Sequence, residues 1–104
     1  MKTLDYDLFA NTHNDVFNVS YDPEQPPLPL TLVEVSEKRD IGNDMESFSL
    51  LFQAPKSVGC LGQGTWAMEN TKNSDLISLF IVPVGEDEEY FKYEAIISCK
   101  KLQE

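Results

Sequence analysis

Apolar and polar residues alternate through most of this chain, which is the pattern of β-strands that bury one face. Segments that are polar or rich in glycine and proline separate the alternating stretches, so we expect turns and loops between them. The pattern predicts strands within residues 17–21, 28–35, 48–53, 65–69, 77–81 and 91–99.

The start of the chain carries the one helical pattern. Residues 3–10 predict a helix of two turns, with Thr3 as its N-cap and with Asp5 and Asp7 near its positive end. Residues 11–14 predict the end of this helix, and residues 36–44 predict a long loop.

Cross-strand pairing can be anticipated wherever two alternating stretches flank a turn, because one apolar face must stay in register. The strand at residues 77–81 serves two hairpins, as a central strand should. The predicted pairs are Tyr21 with Leu28, Val19 with Leu30, Phe17 with Leu32, Met68 with Ile77, Trp66 with Leu79, Ile81 with Tyr93 and Leu79 with Ala95.

An open sheet of six strands would leave its apolar face uncovered, so closure is expected. We therefore predict an all-β, mainly antiparallel fold, in which a six-stranded meander closes into a small barrel or roll and the N-terminal helix plugs one end. The predicted core is Phe17, Val19, Leu30, Leu32, Phe48, Leu50, Phe52, Trp66, Leu79, Ile81, Tyr93 and Ile97.

Length and charge narrow the function. A chain of 104 residues fits a single domain spanning residues 1–104. The net charge of −10 disfavours nucleic acid, whose binding needs lysines and arginines to neutralise phosphates. No apolar run is long enough for a membrane span, and the start lacks an apolar signal region, so we expect a cytoplasmic protein without membrane contact.

Few residues offer catalytic or metal-binding chemistry. The single histidine, His13, lies in a polar segment and is predicted to be a solvated loop residue rather than a general base. Cys60 and Cys99 lack the spacing of a zinc site. Reduced thiols are favoured, and a disulfide between them is kept as the alternative. A hydrolase using Asp15 and Glu34 ranks last, because Glu34 is expected at the barrel rim in water.

Two further segments are interpreted structurally. Residues 86–89 are all acidic and predict an exposed hairpin tip that adds repulsion and binds no metal, because calcium-loop spacing is missing. Residues 59–64 hold three glycines, but no Lys-Ser/Thr pair or helix follows, so they predict backbone turns rather than a phosphate loop. Among the aromatic residues, Trp66 is expected in the core and Tyr90 at the surface.

Three segments in order carry a family resemblance: residues 48–52 (FSLLF), residues 63–66 (QGTW), and residues 79–85 (LFIVPVG) followed by YEAI. With the opening stretch, they resemble a family of short bacterial β-proteins classed as a domain of unknown function. The family commonly has tyrosine at the position of Trp66, and glycine at those of Asn11 and Asn14. The resemblance implies association with phage-tail-like gene sets, no assigned enzymatic activity and no catalytic residues to carry over.

These observations favour a non-enzymatic protein-interaction or assembly domain, accessory to a phage-tail-like structure. The alternative is a small-molecule-binding β-barrel with a pocket in its interior or near Trp66, although six strands around so many aromatic rings leave little space. We predict no cofactor and no metal. A protein partner is expected, whose identity and binding residues stay open, as does the oligomeric state.

Overall fold

The structure is a computed structural model that describes residues 6–100, except for the side chain of Lys100. Within these residues the chain forms one helix and seven strands. In chain order they are α1 (Tyr6–Asn11), β1 (Val16–Val19), β2 (Leu28–Val35), β3 (Arg39–Gly42), β4 (Met45–Pro55), β5 (Gly64–Asn70), β6 (Leu76–Glu86) and β7 (Tyr90–Lys100).

Six of the strands form a closed antiparallel barrel. Around its wall the order is β1, β2, β4, β7, β6 and β5, and β5 returns to β1. Strand β3 lies outside this ring and pairs with the start of β4 as an extra strand. The predicted fold class, an all-β barrel with a short N-terminal helix, is confirmed.

The strand order differs from the meander that the sequence led us to expect. Strand β4 pairs with β7 along its full length and with β2 along its other edge, so neither edge is left for β5. Strand β5 pairs with β1 instead, and residues 56–63 carry the chain across to it. The competition for the two edges of β4 therefore decides this part of the topology.

The predicted long loop at residues 36–44 contains a hairpin. Strand β3 pairs with β4 so that Gly42 faces Met45, and Asn43 and Asp44 form the turn with φ of 56° and 59°. Positive φ at both central positions is the hallmark of a type I′ turn, which favours asparagine and aspartate. The charged composition of the segment concealed this signal.

Two predicted registers are wrong by two residues, whereas the β5–β6 pairs are confirmed. Val19 pairs with Leu28 rather than Leu30, because an eight-residue connection, residues 20–27, leaves Tyr21 outside the ladder. Tyr93 pairs with Pro83 rather than Ile81, because the hairpin closes with Glu86 paired to Phe91; a one-residue irregularity follows between Pro83 and Gly85. A shift of two keeps every side chain on its predicted face.

The core confirms eleven of the twelve predicted residues as buried. Trp66 is the exception: it is half-buried against the core near the start of β5, where its indole N–H donates a hydrogen bond to the Gly62 carbonyl at 3.0 Å. The polar N–H keeps that end of the side chain at the barrel rim, where a backbone acceptor is available.

Helix α1 packs on the barrel through Phe9, which is fully buried with its ring centroid 6.0 Å from that of Phe48. The helix prediction is confirmed for residues 6–10, whereas Thr3, Leu4 and Asp5 lie outside the described residues. No helix in the described part of the chain is long and apolar enough to cross a membrane.

Candidate functional site

A buried carboxylate links the segment before β1 to the turn after β5. Asp15 precedes β1, and its Oδ2 accepts a hydrogen bond from the Asn70 side-chain amide at 3.0 Å, while its Oδ1 lies 3.0 Å from the Lys72 ammonium. The Asn70 hydrogen bond lowers the pKa of Asp15; burial opposes this shift, and the nearby Lys72 supports it. Both carboxylate oxygens are engaged, so Asp15 is a structural anchor rather than an available base.

The other residues considered for hydrolytic chemistry lie in open surroundings. His13 is exposed, as predicted, and its Nε2–H donates to the Val33 carbonyl at 2.8 Å. Glu34 is also exposed, next to a register irregularity between Leu32 and Glu34. No disulfide joins Cys60 and Cys99. Among the described residues, no group of three or more His, Cys, Asp or Glu side chains could hold a metal ion.

The acidic tip is exposed as predicted, but it does not act through repulsion alone. Asp87 Oδ1 accepts the backbone N–H groups of Glu89 at 2.9 Å and Tyr90 at 2.8 Å, which closes the turn. These hydrogen bonds lower the pKa of Asp87. Glu86 forms an ion pair with Lys56. The expectation of pure repulsion is therefore wrong for two of the four carboxylates.

The glycine-containing connection between β4 and β5 contributes geometry, as expected. Gly59 has φ of 143°, and a Cβ placed on it would lie 3.4 Å from the Tyr21 hydroxyl. That hydroxyl donates to the Val58 carbonyl at 3.3 Å. Gly64, by contrast, pairs regularly with Ile81 at the start of β5.

A cleft of about 320 Å³ opens between this connection and the β6–β7 hairpin. Tyr93 lines the cleft, and its hydroxyl accepts the Leu61 backbone N–H at 2.9 Å. Burial is the main cause that raises the pKa of Tyr93. The lining residues are Cys60, Leu61, Pro83, Gly85, Glu86, Phe91, Lys92 and Tyr93.

A second feature lies on the outer wall, where three large apolar side chains are exposed. Leu76 is 63% exposed, Phe80 53% and Ile96 62%. Two carboxylates border them: Glu69 faces Leu76 across the β5–β6 ladder, and Glu94 faces Val82 across β6–β7. We call Leu76, Phe80 and Ile96 the apolar strip.

The strip adjoins the part of the barrel wall where the β6–β7 ladder ends. Within the described residues, pairing between β6 and β7 runs from Val82 with Glu94 to Glu86 with Phe91. Farther from the hairpin turn, residues 76–81 of β6 pair with β5, and residues 95–98 of β7 pair with β4. Among the described residues, no ladder joins residues 76–81 of β6 to residues 95–98 of β7.

The inward residues of β6 were predicted from the sequence, whereas the strip was not. The signal was present, because Leu76 and Phe80 are apolar at the positions that alternate with the buried Ile77 and Leu79. The cleft left no comparable signal, since its residues come from two segments about 20 to 30 positions apart in the chain.

Comparison with known proteins identifies a family for this chain. A domain of unknown function, DUF6916, matches residues 4–97. No curated protein and no solved structure matches the chain. Since the match covers most of its length, the chain belongs to the DUF6916 family of domains of unknown function.

Proposed function

We propose that this domain is a non-enzymatic protein-binding module and that its partner contributes an extended strand where β6 and β7 are not joined by a ladder. The observation that carries the proposal is the apolar strip beside strand edges without a ladder. Exposed edges are where proteins accept an additional strand, because the backbone supplies hydrogen bonds and alternate side chains supply specificity.

Charge determines the chemistry of the partner. The strip is bordered by Glu69 and Glu94, and the whole chain has a net charge of −10. A second copy would bring the same negative charge to the contact, whereas a basic segment would be attracted to it. The partner strand should therefore alternate apolar side chains with lysine or arginine.

The biological setting of the proposal comes from the sequence resemblance. A bacterial cytoplasmic protein that binds another protein through a strand edge would suit an accessory role in the assembly of a phage-tail-like structure. The barrel supplies a rigid support for that role, since its interior is filled by side chains such as Phe17, Phe52 and Tyr93. This filling also argues against the alternative of a ligand held inside the barrel.

A displayed library of random peptides tests the proposal, because it samples many partner sequences at once. We expect enriched peptides that alternate apolar and basic residues. Phe80→Ser should weaken their binding about tenfold, a loss of about 1.4 kcal/mol. Ile41→Ser is the matched control, because Ile41 is 52% exposed but lies on the extra strand β3. Its binding should match that of the unmodified domain.

Three outcomes would contradict the proposal: no enrichment, peptides without basic residues, or equal losses in the Phe80→Ser and Ile41→Ser variants. Sedimentation of the purified domain adds the remaining distinction. A dimer that Phe80→Ser dissociates would identify the strip as a contact between copies and overturn the proposed basic partner.

A further inference from the structure

We propose that the cleft between the β4–β5 connection and the β6–β7 hairpin binds a small, neutral aromatic molecule that carries one hydrogen-bond acceptor. This site is separate from the apolar strip in its residues and in its ligand. Its volume of about 320 Å³ falls at the lower end of small-molecule sites, which range over about 300–1,000 Å³.

The floor of the cleft supplies the hydrogen-bond donor. The Tyr93 hydroxyl oxygen accepts the Leu61 N–H through one of its lone pairs, so the hydroxyl proton is still available for donation. No acceptor for this proton is found within residues 6–100. A tyrosine hydroxyl keeps its proton at neutral pH, and burial raises the pKa of Tyr93 further. A carbonyl oxygen in the cleft would complete the hydrogen bonding of this group.

The wall of the cleft supplies an aromatic contact. Phe91 is half-buried and lines the cleft, and the Lys56 ammonium lies 5.3 Å from its ring centroid. An aromatic ligand can pack on the part of Phe91 that faces the cleft, and Leu61 and Pro83 add apolar surface. Aromatic and apolar lining around one polar group is typical of small-molecule sites.

The charge at the rim selects a neutral ligand. Lys56 is paired with Glu86, and Lys92 lies 3.9 Å from Asp87, so two positive charges meet two negative ones. An anionic ligand would have to compete with these carboxylates and approach a chain of net charge −10. A neutral molecule leaves both pairs intact.

Cys60 permits a direct test by disulfide capture, because it is exposed and lines the cleft. In a Cys99→Ser background, the Cys60 thiolate attacks a fragment disulfide. A new S–S bond forms, the original S–S bond breaks, and the released thiolate takes up a proton. Mass spectrometry under competing 2-mercaptoethanol then measures the captured fraction for a benzamide, a phenylalkyl and a carboxybenzamide disulfide with equal linkers.

We expect the benzamide to be captured at least threefold more than the phenylalkyl and carboxybenzamide fragments. Tyr93→Phe should abolish the advantage over the phenylalkyl fragment, and Phe91→Leu should lower capture of both. Equal capture of all three fragments would overturn the proposal, as would an unchanged advantage in Tyr93→Phe.

A second measurement does not depend on the thiol or on the fold of the Tyr93 variant. In Cys60→Ser, free benzamide should shift the backbone amide resonance of Leu61, and benzoate should leave it unchanged. Benzamide without effect on Leu61, or an equal shift by benzoate, would contradict the site. Neither experiment involves the apolar strip, so the failure of one proposal leaves the other in place.

Discussion

Asp15 and Tyr93 are both buried polar residues that attach a connecting segment to the barrel, yet they differ in how fully they are hydrogen-bonded. Both oxygens of Asp15 are engaged, by Asn70 and Lys72. The Tyr93 hydroxyl accepts one hydrogen bond from Leu61 and retains a proton to donate. A buried group whose bonds are complete stabilises the fold, whereas one with a bond still to offer can also recognise a ligand.

Replacement of Asp15 should have the largest effect on stability. In Asp15→Ala the buried Asn70 amide loses its acceptor, and we expect the free energy of unfolding to fall by about 2–3 kcal/mol in urea at neutral pH. Lys72→Ala is the matched control, because Lys72 is 76% exposed and its removal should cost about 0–1 kcal/mol. Equal losses in the two variants would contradict the role of Asp15 as an anchor.

Tyr93→Phe should destabilise the domain less, by about 1–2 kcal/mol, because it removes the acceptor of one buried backbone N–H. Tyr21→Phe is a suitable comparison, since Tyr21 also contacts the β4–β5 connection but through a longer hydrogen bond of 3.3 Å at a half-buried position. We expect its cost to be about 0.5–1 kcal/mol in the same urea titration. A larger loss in Tyr21→Phe would reverse the ranking.

The contribution of Asp15 to stability should depend on pH. The pKa of Asp15 is lowered in the folded state, so its stabilising contribution is complete above the unfolded value of about 3.9 and is lost as pH falls through the folded value. Asp15→Asn does not titrate. The difference in unfolding free energy between the unmodified domain and this variant should therefore shrink below about pH 4. A constant difference down to acid pH would contradict the lowered pKa.

The smallest effects are expected at the acidic tip. Glu88→Gln with Glu89→Gln should leave the melting temperature unchanged or raise it slightly at low salt, and added salt should remove any gain. Asp87→Ala should lower the melting temperature, because Asp87 closes the turn through two backbone N–H groups. A rise in melting temperature with calcium that the double Gln change abolishes would instead indicate a metal site.

Sequence reasoning predicted the parts of this fold that depend on short range. The alternation of apolar and polar residues along the strands identified eleven of the twelve chosen core positions correctly. It was less successful at the candidate sites. The buried Asn70 and the cleft at Tyr93 arise from contacts between segments far apart in the chain, and no local pattern announces them.

The local alternation of apolar and polar residues is enough to assign the buried face of each strand, because side chains alternate with a period of two wherever the backbone is extended. It also determined the β5–β6 hairpin, whose two strands lie close together in the chain. The pairing of β5 with β1, by contrast, depends on long-range contacts, since β2 and β7 occupy both edges of β4. The same holds for the end of the β6–β7 ladder and for the hydrogen bond between Leu61 and the Tyr93 hydroxyl. Such long-range contacts depend on how all the strands compete for edges at once.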